Sequence, residues 1–145
     1  MTHHGALESA VETTNEWLSD IKESFGFDDD RAAYTALRAT LHGLRDLLAT
    51  DQAVRLGAEL PVLVRGLYYE GWNPASAARP RPDNFLEAIR HELREHLELR
   101  DAERVARIVF AVIATRLAPG GIDTIIQSLP REIRMLWPQS SAEYV

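Results

Sequence analysis

The sequence predicts an all-α protein, a single compact bundle of about eight helices built from two duplicated four-helix units. Apolar residues recur with helical spacing almost everywhere, and no stretch alternates apolar and polar residues as a half-buried strand does. The chain also resembles itself when it is shifted along its own length. With 145 residues, it has the size of one domain and is expected to bury roughly 70% of its unfolded surface. We therefore expect one helical domain over residues 1–145.

The first two helices are predicted from apolar stripes on either side of an acidic turn. Gly26 ends the first helix, and Phe27 is placed to fold back onto it. Residues 28–30 are all aspartate, and carboxylates favour a helix N-terminus through the backbone dipole. The apolar positions of the first helix are Leu7, Val11, Trp17, Leu18, Ile21 and Phe25, and those of the second are Ala33, Leu37, Leu41, Leu44 and Leu48.

Proline and glycine residues mark the next helices. Thr50 is expected to cap a short third helix, and Pro61 opens a fourth, since proline is tolerated in a first turn. Gly71 ends the fourth helix as a left-handed stop, with Trp72 folding back onto the last turn. Residues 73–82 contain three prolines, which disfavour a continuous helix. We expect a proline-rich joint there.

Four more helices are predicted beyond the joint. They are marked by Phe85, Ile89 and Leu93 for the fifth, Val105, Ile108, Val109, Val112, Ile113 and Leu117 for the sixth, Pro119 for the start of the seventh, and Pro130 for the start of the eighth. The sixth helix is apolar around too much of its circumference to lie on a surface.

An internal repeat relates the two halves. A shift of 69 positions gives eight identities over residues 33–68 and keeps the apolar positions in helical phase. The identities include Arg38 with Arg107, Leu60 with Leu129, Pro61 with Pro130, Arg65 with Arg134, and Leu67 with Leu136. We place the copies at approximately residues 6–72 and 83–138. One copy alone is marginally stable, so the second and sixth helices are expected to bury each other.

Composition excludes several classes of protein. The absence of cysteine removes disulfides, thiolate metal ligands and a cysteine nucleophile. A net charge of −6 argues against a nucleic-acid partner, which requires a basic face. No signal peptide and no run of about 18 apolar residues is found, so we expect no membrane contact and a cytoplasmic location.

The histidines do not form a recognisable metal or catalytic motif. His91 and His96 in "HELREH" are five positions apart, whereas the two zinc-binding histidines in the signature of zinc proteases are four positions apart. Glu87 and His91 have the four-residue spacing that can share a metal, but a solvated pair explains them better. No glycine-rich phosphate loop and no nucleophile elbow occurs. The sequence therefore predicts no catalytic residue, metal or cofactor, although a site assembled from scattered side chains stays open.

One segment attracts attention as a contact site. The stretch "LPVLVRGLYYEGW" ends in aromatic residues, and the second copy replaces Tyr69 and Glu70 with proline and glutamine. His42 lies on the second helix with Arg38 and Arg45 about one turn away on either side. The candidate interaction or ligand residues are Tyr69, Glu70, Trp72, Arg65, Tyr68 and His42.

The blocks "LHGLRDLL", "LGAELPVLVRGLYYEGW" and "SLPREIRMLW" resemble an uncharacterised bacterial helical family, domain of unknown function 2267. The resemblance spans nearly the whole chain, and residues 1–16 are its least family-like part. It implies a compact all-helical cytoplasmic protein of bacteria. It carries no established activity, cofactor or catalytic residue.

Three functions are consistent with these observations. The first is a non-enzymatic protein-interaction or structural module that binds an unknown protein partner or self-associates. Its support is the aromatic helix ends and the acidic N-terminal helix. The alternative is a small-molecule-binding protein with a cleft between the two repeats. A helix-turn-helix regulator is the third, but its recognition helix would offer only Arg65 as a basic donor.

Overall fold

A computed structural model describes residues 2–76 and 82–138 and confirms the all-helical fold. Eight α-helices and two short 3₁₀ turns occur in these ranges, and no strand is found in them. The helices are α1 Thr2–Phe25, α2 Asp30–Leu47, α3 Thr50–Glu59, α4 Val62–Tyr69, α5 Pro82–Glu92, α6 Ala102–Arg116, α7 Asp123–Gln127 and α8 Arg131–Arg134, and the turns are Pro74–Ser76 and Leu97–Leu99.

Two predicted helix starts are wrong. Thr50 is the first residue of α3 and not its cap, since Ala49 takes the cap position without a side-chain hydrogen bond. Pro119 does not open α7. Gly120 has a φ of 86°, and the Gly121 N–H donates to the Ala118 carbonyl at 3.1 Å, so a turn delays the helix to Asp123. Of the predicted joint, residues 77–81 lie outside the described part of the chain.

The turn between α1 and α2 follows the sequence closely. Gly26 has a φ of 86°, a left-handed conformation that costs glycine nothing. The chain then reverses, and the ring of Phe27 stacks on that of Phe25 with centroids 5.0 Å apart. The Asp29 carboxylate accepts hydrogen bonds from the first backbone N–H groups of α2, at 2.9 Å from Arg31 and 3.2 Å from Ala32. Side-chain capping therefore fixes where α2 begins.

Helix α2 lies at the centre of the molecule and packs against α1, α4, α5 and α6. Eleven of its eighteen residues are buried. The expected contact between α2 and α6 is present, and the buried apolar residues of both halves form one core cluster. The helices on either side of the joint therefore share a hydrophobic core.

A column of three aromatic rings closes the core beside α5 and α6. Phe110 on α6 stacks on Trp137 with centroids 4.2 Å apart, and Phe85 on α5 lies 6.0 Å from Phe110. All three side chains are buried. The column holds the chain after α8 against the bundle.

Helix α1 extends beyond the bundle. At its C-terminal end Trp17 and Ile21 are buried, whereas none of residues 5–15 is buried. The Arg116 guanidinium at the end of α6 bonds to Asp20 at 2.7 Å and to Glu16 at 3.2 Å. Residues before Glu16 therefore run past the end of α6. We call residues 5–15 the projecting half of α1.

Candidate functional site

Three helices meet at a network of charged side chains. The Arg38 guanidinium on α2 donates to Glu70 after α4 at 2.8 Å and to Glu92 at the end of α5 at 2.9 Å. The hydrogen bond from Arg38 lowers the pKa of Glu70. The pKa of Glu92 is also lowered, first by the neighbouring His42 imidazole and also by the charge of Arg38. One arginine thus links both halves of the chain.

His42 is the buried member of this network, with 7% of its surface exposed. Its Nε2 lies 2.8 Å from the Leu67 carbonyl oxygen, so Nε2 carries the hydrogen and donates it. Its Nδ1 lies 3.7 Å from a Glu92 oxygen. The hydrogen bond from His42 on α2 therefore ties this helix to α4.

Arg45 lies on α2 about one turn after His42, and it holds the C-terminal end of α4 in place. Only 6% of its surface is exposed. Its Nη1 donates to the carbonyls of Tyr68 at 3.0 Å and Glu70 at 2.8 Å, and its Nε donates to Asp46 at 2.9 Å. The last carbonyls of a helix have no partner within the helix. A buried guanidinium supplies that partner here.

Tyr68 and Arg65 are held by backbone carbonyls of α3 and of the turn that follows it. The Tyr68 hydroxyl donates to the Ala53 carbonyl at 2.6 Å, and burial raises the pKa of the phenol. Arg65 donates to the carbonyls of Gly57 and Leu60, both at 2.8 Å. Both side chains therefore pin α4 to α3, which gives them a structural role.

Tyr69 and Trp72 form a half-buried aromatic pair. Their rings stack with centroids 5.4 Å apart and planes inclined by 27°. The Tyr69 ring lies directly over Gly57 on α3, so closely that a β-carbon at position 57 would overlap its hydroxyl. The glycine makes room for the ring. By stacking on Tyr69, Trp72 thus covers the contact between α3 and α4.

Replacing Gly57 by alanine is expected to lower the free energy of unfolding by about 1–2 kcal/mol, because the Tyr69 ring must leave its place. Gly66→Ala is the matched control: Gly66 lies in α4 with open space around its α-carbon, so alanine should stabilise by about 0.5–1 kcal/mol. Urea unfolding followed by tryptophan fluorescence measures both. In a Tyr69→Ala background the penalty at position 57 should disappear; a penalty that persists there contradicts the assignment.

A cleft of about 550 Å³ lies between α2 and α5. Its floor is apolar, formed by Ala39, Gly43, Phe85 and Ala88, and its polar lining includes His42, Asp46, Asn84, Glu87, His91 and Glu92. A β-carbon on Gly43 would lie 3.2 Å from atoms of Ile89 and Phe85, so this glycine lets α5 approach α2 closely. The cleft therefore combines a hydrophobic floor with several ionisable groups.

The predicted site residues do not gather in one place. Within the described part of the chain, His42 is the only one of the six that lines the cleft. Glu70 contacts the same network through Arg38, while Tyr69 and Trp72 stack on each other beside Gly57. Sequence reasoning missed Asp46, Asn84 and Phe85, whose side chains meet only because α5 returns to α2. In the sequence, Gly43 was the residue that could have indicated the close approach of α5, because glycine has no β-carbon to keep another helix away.

Within residues 2–76 and 82–138, no group of three or more histidine, aspartate and glutamate side chains is arranged to hold a metal ion. None of the helices over residues 2–76 and 82–138 has both the length and the apolar character needed to cross a bilayer.

Changing Glu92 to glutamine is expected to remove a pH-dependent part of the stability. The pKa of Glu92 is below its ordinary value, so its contribution is present above about pH 4.5 and is lost as the pH falls through the folded-state pKa. We expect Glu92→Gln to cost about 1 kcal/mol near neutral pH, because solvent screens the partly exposed pair, and the difference to close in acid. Thermal melts between neutral and acidic pH measure it. The exposed Glu87→Gln is the control and should change little; a difference at position 92 that persists in acid contradicts the prediction.

Sequence comparison agrees with the resemblance carried by the motifs. The family described as "Uncharacterized conserved protein (DUF2267)" matches residues 14–136, which include every helix from α2 to α8 and leave out most of the projecting half of α1. No curated protein matches the chain. Since the match covers most of its length, the chain belongs to the DUF2267 family of uncharacterised conserved proteins.

Proposed function

We propose that this protein is a helical protein-interaction module and that the projecting half of α1 is its contact element. The observation that carries the proposal is the exposure of two apolar side chains on this helix, Leu7 at 70% and Val11 at 51%. They are four positions apart and therefore share a helix face. Nothing in the described residues covers that face.

The exposed residues continue the stripe that packs α1 into the bundle. Leu7 lies eighteen positions before Phe25, which is about five helical turns, so both side chains are on one face with Ile21 between them. In the C-terminal half of α1 that face is covered by the core. The same pattern in the projecting half supports a partner that covers it.

Energetics also favour a partner. The projecting half continues a helix whose packed C-terminal half supplies the nucleus, but its own residues gain no burial from the bundle. Removing apolar surface from water contributes about 25 cal/mol for each Å² that is covered. Glu8 and Glu12 lie on one flank of the apolar face, where they would be at the polar rim of a complex. The projecting half is therefore an amphipathic helix suited to docking in an apolar groove.

Site-specific photo-cross-linking tests the proposal. A photoreactive phenylalanine at position 7 in the full chain should form adducts with a protein partner in its native host. The same residue at position 9, which lies on the opposite face, should form few or none. Equal adduct formation at both positions, or none at position 7, contradicts the proposal. Circular dichroism of each variant confirms that the helix is intact.

A second candidate function is the binding of a small molecule in the cleft between α2 and α5. Its support is the apolar floor at Phe85 and Ala88 beneath the carboxylates of Asp46, Glu87 and Glu92. Such a lining suits a ligand with an apolar body and an amine, which would compete with Arg45, Arg90 and Arg38 for these carboxylates. Titrating benzylamine should shift the amide signals of α5 in NMR spectra, and Ala88→Arg should abolish the shifts. Equal shifts with benzyl alcohol contradict selection by charge.

We also propose that the fold consists of two duplicated four-helix units. Equivalent residues make equivalent bonds at the repeat distance. Arg65 donates to the Leu60 carbonyl at 2.8 Å, and Arg134 donates to the Leu129 carbonyl at 3.2 Å. The Leu48 and Leu117 N–H groups close α2 and α6 in the same way. Superposing residues 17–25 and 30–69 on residues 85–93 and 99–138 tests all four helix pairs; helix axes that diverge beyond the scatter of unrelated helix pairs contradict duplication.

A further inference from the structure

We propose that the partner of the projecting half is a second copy of this chain, with the projecting half of each copy lying in a groove of the other between α6, α7 and α8. The inference rests on the proposed function and names the partner of the same contact element. In this arrangement two identical contacts form around a two-fold axis.

The groove is large and mostly apolar. Its cavity volume is about 920 Å³, and its apolar lining includes Ala111, Ala118, Ile122, Ile126, Met135 and Trp137. Met135 is 50% exposed, and its unbranched side chain adapts to a partner's shape. The small alanines on α6 allow another helix to approach closely. The groove therefore suits an apolar helix face more than it suits an extended polar chain.

A comparison with the first half explains why the groove is open. At the repeat distance Ala114 stands where the first half has Arg45, and Pro138 stands where it has Tyr69. In the first half Arg45 spans the space between α2 and α4, and the Tyr69 ring fills the space over α3. Alanine and proline leave the equivalent space in the second half unfilled.

The contact element and the groove are at the same end of the molecule. Arg104 at the start of α6 lies 4.9 Å from the Phe25 ring, whereas Arg116 at its end bonds to Glu16 and Asp20. Helices α1 and α6 are therefore antiparallel, and the projecting half passes the C-terminal end of α6. Ala114 and Ala118 of the groove lie at that end. A two-fold axis near this end lets each copy reach the other's groove.

The dimensions of the contact element agree with this arrangement. The eleven residues of the projecting half span about 16 Å, and Leu7 and Val11 are about 6 Å apart along the helix axis. Glu8 and Glu12 flank them on the helix. Arg134 lies on the edge of the groove together with Asp123, and α8 exposes Arg131 and Glu132 beside them. The two arginines are the candidate partners of Glu8 and Glu12, while the groove edge as a whole carries no net charge.

Sedimentation velocity of the full chain across micromolar concentrations tests the proposal with two double variants. Leu7→Gln with Val11→Gln changes the helix, and Ala118→Glu with Met135→Glu changes the groove at exposed positions. The wild type should dimerise, and each variant should weaken dimerisation by roughly a hundredfold or more. Val54→Glu with Leu63→Glu, exposed apolar positions on α3 and α4, is the control and should dimerise like the wild type.

Mixing the two variants gives the decisive measurement. A mixture keeps one intact helix and one intact groove, so it should form heterodimers that neither variant forms alone as homodimers. Groove variants that dimerise like the wild type overturn the proposal, because they indicate pairing of α1 with α1. If the wild type is monomeric and position 7 cross-links to a different protein, the partner is not a second copy of this chain. The proposal that the protein is an interaction module then still stands. No adduct at position 7 overturns both.

Discussion

Replacing Phe110 by alanine is expected to lower the free energy of unfolding by about 4 kcal/mol, the largest loss expected for any single substitution described for this protein. Phe110 has no exposed surface and stacks between Trp137 and Phe85, with centroids 4.2 and 6.0 Å away. Alanine removes both ring contacts and leaves a cavity among α5, α6 and the chain after α8. Urea denaturation followed by circular dichroism measures the loss.

Phe110→Leu is the control for that experiment, because it keeps much of the buried volume and removes the ring stacking. It should cost about 1–2 kcal/mol. The tryptophan emission of the protein, to which Trp17, Trp72 and Trp137 all contribute, should change in both variants, since Trp137 loses the ring stacked on it. A loss of less than about 2 kcal/mol for alanine would show that the surrounding helices collapse into the cavity.

Replacing Arg45 by methionine is expected to cost about 3 kcal/mol. Methionine fills a similar volume but cannot donate to the carbonyls of Tyr68 and Glu70, which Arg45 bonds at 3.0 and 2.8 Å. A buried polar group that loses its partner costs about 1–3 kcal/mol. Chemical denaturation measures the total loss, and hydrogen exchange of the α4 amides reports the local opening.

Arg55→Met on the exposed face of α3 is the matched control and should change stability by less than about 0.5 kcal/mol. If Arg45→Met is as stable as the wild type, then water or a new packing arrangement satisfies the carbonyls. That result would contradict the role of Arg45 as the partner of the α4 terminus.

The long helices were predictable because their apolar residues keep one period over many turns. The stripe from Ala33 to Leu48 gave α2, and the apolar run from Val105 to Leu117 gave α6. Short elements were less predictable, since one local conformation moves their ends. The left-handed Gly120 postponed α7 to Asp123, which proline statistics alone do not indicate.

The candidate site was predictable only in part. His42 was identified beside two arginines, yet its actual partners are a carbonyl on α4 and a carboxylate on α5. Such contacts depend on how far α5 slides along α2, and that register is set by side-chain packing across the joint. For the same reason Tyr69 was predicted to be a candidate interaction or ligand residue, without any indication that its ring packs over Gly57 of α3.

The central position of α2 has a consequence for how the chain folds as it is synthesised. The eleven buried residues of α2 are covered in part by α5 and α6, which are translated later. A nascent chain ending at residue 76 would therefore leave one face of α2 uncovered and open to chaperones. Native burial of α2 becomes complete only after α6 has left the ribosome, so premature termination before the end of α6 should yield aggregation-prone fragments and not a smaller stable domain.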